Sequence, residues 1–297
     1  RKRVSQFNRV SNKAELVRQL LRSHDIFIGD YHTLRQAQRT VIRLLRETQR
    51  NNQPVTLFLE MVDSKHQVHI DAYMRGDIEE LEFLERIEYE RRWNFEWGNY
   101  KMIFDFARKF SLPIIALNVE ITGAEDELQQ RDLAAAEIIA SYAVEHPEQL
   151  LITLYGDLHI NRDCIPTFYA KALERKQFRL PRRSLIIYQN STPIYWQLAD
   201  RGVEQRIDVV RISENEFCVL NTPPWIKLQS HLNWLERERQ QGFEVDADLV
   251  DDSDDNFYDR LWHFYDIISD FFDLEVDQRA LFSFYTETDF EILDMIG

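Results

Sequence analysis

Short apolar runs separated by helix-length stretches constrain this chain more than any other feature. Residues 25–28 (DIFI), 55–59 (VTLFL), 113–117 (PIIAL) and 150–154 (LLITL) are compact and rich in β-branched and aromatic side chains. Such runs read as strands buried on both faces. Between them apolar residues fall at helical spacing: Leu34, Ala37, Val41, Leu44 and Leu45 after the first run, and Leu133, Ala136, Ile139, Ala140 and Ala143 before the fourth. The alternation predicts an α/β fold with a central, mainly parallel sheet and helices on both faces. A fifth run at 184–188 extends the sheet, and 206–212 with 216–220 reads as an added hairpin at its edge.

Residues 71–110 exceed a simple crossover, and Leu81, Leu84 and Ile87 followed by Trp93, Phe95, Trp97 and Tyr100 predict a helical insertion beside the strand ends. Its aromatics are expected to serve the core ahead of any ligand, because helix faces must bury something. The α/β domain is expected to span 1–240. Asp246, Asp248, Asp251, Asp252, Asp254 and Asp255 make 241–256 an acidic linker, without the glycine and terminal glutamate of a calcium loop. Phe257, Leu261, Phe264, Ile267, Ile268 and Phe271 then predict a helical C-terminal appendage over 257–297. A lone helix of this kind is marginal in water, so it is expected to dock on its own chain, or else on a second copy as a homodimer or on a protein partner.

A chain of 297 residues that is 44% hydrophobic can bury a sizeable core. No apolar run approaches the roughly 20 residues that cross a bilayer, so no transmembrane segment is expected. The start Arg1-Lys2-Arg3 leads into polar residues rather than an apolar signal core. The expected location is cytoplasmic, or periplasmic if a signal or lipoprotein segment has been removed. A net charge of −15 argues against nucleic acid as a partner, since phosphate neutralisation needs a basic face. The two cysteines, Cys164 and Cys218, form no CxxC and are expected to be small buried side chains rather than a disulfide.

Ligands of an open parallel sheet bind outside the carboxyl ends of its strands. The residues that follow the runs here are polar: Gly29-Asp30-Tyr31-His32, Glu60, Asn118, Gly156-Asp157-Leu158-His159 and Gln189-Asn190. The two Gly-Asp-x-His segments are the most specific signal. Glycine is expected to turn the backbone sharply off the strand, letting the histidine point back over the sheet edge. Two imidazoles and a carboxylate suit a divalent metal with open positions, which makes His32, Glu60 and His159 the candidate metal ligands, or the catalytic set of a hydrolase. Asp30, Tyr31, Asn118, Arg131 and Asp157 are candidates for contacting a small-molecule ligand. Blander roles stand beside these, with His32 capping the next helix and Asp30 or Asp157 satisfying turn amides. Arg131 and Asp132 are expected to open the helix before the fourth strand. No G-x-S-x-G elbow, G-x-x-x-x-G-K-[ST] loop or G-x-G-x-x-G fingerprint is present, which disfavours serine hydrolases, nucleotide hydrolases and dinucleotide enzymes.

The order Gly29-x-x-His32, Leu59-Glu60-Met61, Tyr100 with Phe106-Ala107-Arg108, 113–118, Gln130-Arg131-Asp132 and Gly156-x-x-His159 resembles the ChaN-like haem-binding uptake family over about residues 25–175. More distantly it resembles the Tiki/TraB metalloprotease and erythromycin esterase groups. The resemblance implies an α/β domain with a pocket at the strand ends. It implies haem binding and iron acquisition on the ChaN side, and hydrolysis at a His/Glu pocket on the other. His32, Glu60 and His159 match the polar pocket positions, with Asn118, Arg131 and Asp132 in support. The usual glutamate of the first motif is Asp30 here, one methylene shorter, and the usual His-rich stretch is Thr33-Leu34-Arg35-Gln36. Three functions are thus expected in contention: a binder of haem or a related iron compound, a metal-dependent hydrolase, and a scaffold that binds partners through its acidic C-terminal region.

Overall fold

The computed structural model describes residues 4–121 and 126–240. The chain divides after Trp234 into two units, and the sheet with its strand ends belongs to the first. The strands are β1 (Arg9–Val10), β2 (Asp25–Asp30), β3 (Val55–Asp63), β4 (Ile114–Asn118), β5 (Leu150–Gly156), β6 (Ser184–Gln189), β7 (Val209–Ser213) and β8 (Glu216–Val219). They form one sheet in the order β1-β7-β8-β6-β2-β5-β3-β4. From β4 to β8 every pairing is parallel, while β7 runs antiparallel to both β8 and β1. The mainly parallel sheet and the β7–β8 hairpin therefore follow the sequence pattern, but the short β1 pairs outside β7 and forms the edge expected of the hairpin.

Side chains alternate along each buried strand and feed two cores. Ile26, Ile28, Leu57, Leu59, Ile152 and Leu154 join one cluster, together with Val41 and Leu45 of α2 (Arg35–Arg50) and Ile103, Phe104 and Ala107 of α6 (Trp97–Phe110). Phe27, Phe58, Leu151 and Tyr155 join the other, with Ala136, Ile139, Ala140 and Ala143 of α7 (Glu127–Glu145) and Tyr169 and Ala172 of α8 (Ile165–Arg175). The insertion is helical as expected, with α3 (Gln67–Arg75), α4 (Glu80–Arg86) and α5 (Tyr89–Arg92) preceding α6. At the opposite end of β2 from the polar motifs, Arg182 Nη2 lies 2.6 Å from Asp25 Oδ1, with both side chains almost wholly buried.

Three local expectations are corrected. Neither Gly29 nor Gly156 turns the chain off its strand: β2 runs through Gly29 to Asp30, which pairs with Gly156 at the end of β5. Neither glycine adopts the left-handed region, because the parallel ladder keeps them extended. Glu60 is not at a strand end, since β3 continues to Asp63 with a register shift against β4 after Leu59. Arg131 and Asp132 do not open α7, which begins a turn earlier, where the Asp126 side chain accepts from the Gln129 amide.

Both cysteines are buried and are not joined in a disulfide. Among the described residues no helix is long and apolar enough to cross a membrane. The expected acidic linker 241–256 and C-terminal helix 257–297 lie outside the described residues.

Candidate functional site

Adjacency of β2, β5 and β3 brings the polar motifs to one sheet edge. Asp30, buried at the end of β2, is the hub of the first half. Its Oδ2 accepts from the Tyr100 hydroxyl at 2.6 Å and lies 2.9 Å from His32 Nδ1, while its Oδ1 accepts from Gln38 Nε2 at 2.6 Å. The carboxylate thus fixes the His32 ring from the Nδ1 side. Trp93 and Phe95 pack against that ring with centroids 4.6 and 4.9 Å away. Burial pulls the His32 pKa down, but the hydrogen bond and charge of Asp30, with the charges of Glu60 and Asp157, outweigh it and hold the value above that of free histidine. Burial and the neighbouring Asp30 charge push the Tyr100 hydroxyl far above its ordinary range, so it stays a donor.

Glu60 stands at the centre. Its Oε2 accepts from the Gly156 amide at 2.7 Å and its Oε1 accepts from Arg131 Nη2 at 3.1 Å. His32 Nε2 is 3.8 Å from Glu60 Oε2. On the far side His159 Nδ1 lies 2.5 Å from Oδ1 of Asp132, which is wholly buried on α7. Gly156 lies where these groups meet. A Cβ there would lie 3.4 Å from His159 Cδ2 and 3.5 Å from both Glu60 Oε2 and His32 Nε2. The geometry is therefore two carboxylate-braced imidazoles facing a central Glu60–Arg131 pair.

His32, Glu60, Asn118, Arg131 and His159 line one cavity of about 570 Å³, walled on one side by Trp93 and Phe95. Three expected contact residues are not among its lining residues: Asp30 lies behind His32, bonded to it, to Tyr100 and to Gln38, and the other two are Tyr31 and Asp157. Tyr31 carries Lys227 Nζ over its ring at 4.4 Å. Asp157 packs against Gly29 so closely that a Cβ on Gly29 would collide with its carboxylate. Gly29 is thus a point of close approach rather than a turn. The insertion aromatics serve both roles, since Trp93 and Tyr100 are core residues and also contact the His32–Asp30 pair.

Arg91, Arg92 and Glu120 also line the cavity and escaped sequence reasoning: the folding of the insertion brings the two arginines there, while Glu120 lies two residues beyond the end of β4. Gln38 left a signal: it lies one position beyond Ala37 on the apolar face of α2 and is fully buried, which calls for a polar partner. Among the described residues no group of three or more His, Cys, Asp or Glu is arranged to hold a metal ion. The expected metal-ligand role of His32, Glu60 and His159 gains no support from their placement.

Residues 16–126 match the model of a family described as haem-binding uptake, Tiki superfamily, ChaN. The match takes in His32, Glu60 and Asn118 but ends before Arg131, Asp132 and His159. No curated protein matches the chain. Among solved structures it is similar to ChaN of Campylobacter jejuni, described with cofacial haem binding, at 12% identity and TM-score 0.43 over 61% of this chain and 86% of that one. It is also similar to the type III effector HopBA1, at 10% identity and TM-score 0.48 over 74% of this chain and 98% of that one. A third is RRSP, a MARTX toxin effector domain from Vibrio vulnificus, at 21% identity and TM-score 0.35 over 50% of this chain and 33% of that one.

Proposed function

We propose, from the ChaN-like character of residues 16–126, that the cavity over Gly156 binds haem or a related iron compound. The observation that carries the reading is the bracing of His32 by Asp30 at 2.9 Å. A carboxylate on Nδ1 fixes the tautomer that presents the Nε2 lone pair, which is the arrangement an axial imidazole of haem uses. The other residues suit such a ligand. The volume of about 570 Å³ is in the range of small-molecule sites. Trp93 and Phe95 offer aromatic faces, and Arg91, Arg92 and Arg131 bring guanidinium groups that would exchange their present partners Glu88, Glu120 and Glu60 for the carboxylates of a ligand. Haem iron would supply the coordination, while this chain orients the imidazole and the propionates. Haemin titration tests the proposal. The expected result is a Soret shift that survives gel filtration and weakens at least tenfold in His32→Ala; no shift, or one that His32→Ala leaves alone, overturns it.

A second reading, hydrolysis, rests on the 3.8 Å between His32 Nε2 and Glu60 Oε2. A water within reach of both would lose its proton to an imidazole whose pKa is raised above that of free histidine, which strengthens it as a base. Arg131 and His159 would then face the developing oxyanion. Release of nitrophenol from activated esters, abolished in His159→Ala and Glu60→Gln with the fold retained, is the expected outcome for this reading. Turnover that persists in both variants removes it.

A further inference from the structure

The net charge of −15 is not spread along the chain. Of 51 acidic and 36 basic residues, 17 and 2 fall within residues 241–297, so residues 1–240 are neutral and the last 57 residues hold the whole excess. Against that neutral body α2 carries a concentrated basic face. Arg35, Arg39, Arg43, Arg46 and Arg50 are all exposed. At 100° per residue they fall within an arc of about 80° and run for about 22 Å along the helix. Arg50 pairs with Glu47. Among the described residues Arg35, Arg39, Arg43 and Arg46 have no carboxylate partner.

Beside the stripe lies a groove of about 560 Å³ between α2 and α6, whose lining shares no residue with the cavity over Gly156. Arg39, Arg43, Arg46 and Lys109 supply its charge, with Asp105 the one acid in its lining. Ile42, Met102, Phe106 and Phe110 supply its apolar surface, and Phe110 is 39% exposed. Apolar side chains set between cationic ones complement an amphipathic acidic segment, whose carboxylates meet the arginines while its apolar side chains enter the groove. A lipid surface would ask for apolar groups that protrude beyond the charges.

We propose that this groove binds residues 241–297 of a second copy of the chain. That segment has the matching chemistry in its sequence: a run of aspartates at 251, 252, 254 and 255, then Phe257, Leu261, Phe264, Ile267, Ile268 and Phe271 at helical spacing. Reciprocal exchange fills two grooves and neutralises two acidic segments in a closed pair, so association stops at the dimer.

Light scattering on the full chain during gel filtration tests this, at about 0.1 M and about 1 M salt, between which the screening length falls from about 10 to about 3 Å. The expected result is a doubled mass at low salt and a single mass at high salt. Arg39→Glu with Arg43→Glu and Arg46→Glu should give the single mass at both salts, with unchanged circular dichroism because the three side chains are exposed. Asp251→Asn with Asp252→Asn, Asp254→Asn and Asp255→Asn should do the same from the other side. A single mass for the unaltered chain at low salt overturns the proposal, as does a doubled mass that either set of substitutions leaves intact.

Discussion

Glu60 Oε2 accepts from the Gly156 amide at 2.7 Å while Oε1 accepts from Arg131 Nη2 at 3.1 Å, so both carboxylate oxygens answer donors. This geometry predicts that Glu60→Gln lowers both ligand binding and stability. One of the two donors would face an amide NH₂ instead of an oxygen. An unmatched buried donor costs about 1–3 kcal/mol, and in a domain of this size each kcal/mol lowers Tm by about 2–4 °C. Thermal denaturation of Glu60→Gln checks this, and an unchanged Tm would contradict it.

His32 is expected to titrate above free histidine in the intact protein. Asp30→Asn removes the strongest of the groups that raise it, leaving burial, the largest single influence, to pull the value down. Imidazole resonances followed by NMR against pH should show a high midpoint in the unaltered chain and a lower one in Asp30→Asn. The sign for stability follows from the raised folded value. The His32 contribution is fully present below the unfolded pKa of about 6.5 and is lost as pH rises through the folded pKa. Ligand binding through Nε2 should move oppositely, weakening as pH falls and a proton competes for that atom. A midpoint at or below the free value in the unaltered chain would refute the coupling to Asp30.

Gly156→Ala and Gly29→Ala are expected to separate function from folding. A methyl at 156 meets its three neighbours at 3.4–3.5 Å, ordinary contact distance, so the fold tolerates it while the meeting point of His32, Glu60 and His159 is filled. Ligand affinity should fall at least tenfold with Tm nearly constant. At 29 the methyl collides with the Asp157 carboxylate, and overpacking of this kind costs about 1–3 kcal/mol. Equal losses of Tm in the two variants would contradict the distinction.

Arg182→Ala should destabilise the domain without touching the cavity. Arg182 and Asp25 are both almost fully buried at the end of β2 remote from the site. Removing one member of a buried pair strands the other and costs about 3–5 kcal/mol. Urea denaturation measures the loss; a midpoint shift of the size seen for exposed pairs, under about 1 kcal/mol, would contradict it.

Strand positions were legible in the sequence because a strand buried on both faces must be apolar throughout, and the runs at 25, 55, 113, 150 and 184 have few other uses in a soluble fold. The same holds for the strand-end motifs. His32, Glu60, Asn118 and His159 could be assigned to one edge because a parallel sheet carries all its carboxyl ends to one side. Strand lengths were less legible, since Gly29, Asp30 and Glu60 are polar or small yet remain in the ladder, where hydrogen bonding outweighs side-chain character.

Sequence alone determined the class of fold, the sheet edge on which a site can form and the residue types available there, for these depend on local periodicity and on the direction of the strands. Tertiary structure decided the pairing. Asp30 braces His32 rather than capping a turn, and Asp132 reaches His159 from the second turn of α7 rather than from its start. It also sent Tyr31 toward Lys227 and Asp157 toward Gly29, away from the cavity their neighbours line. Those choices turn on ångström-scale separations between residues far apart in the chain, set by strand register and helix packing, and no local pattern encodes them.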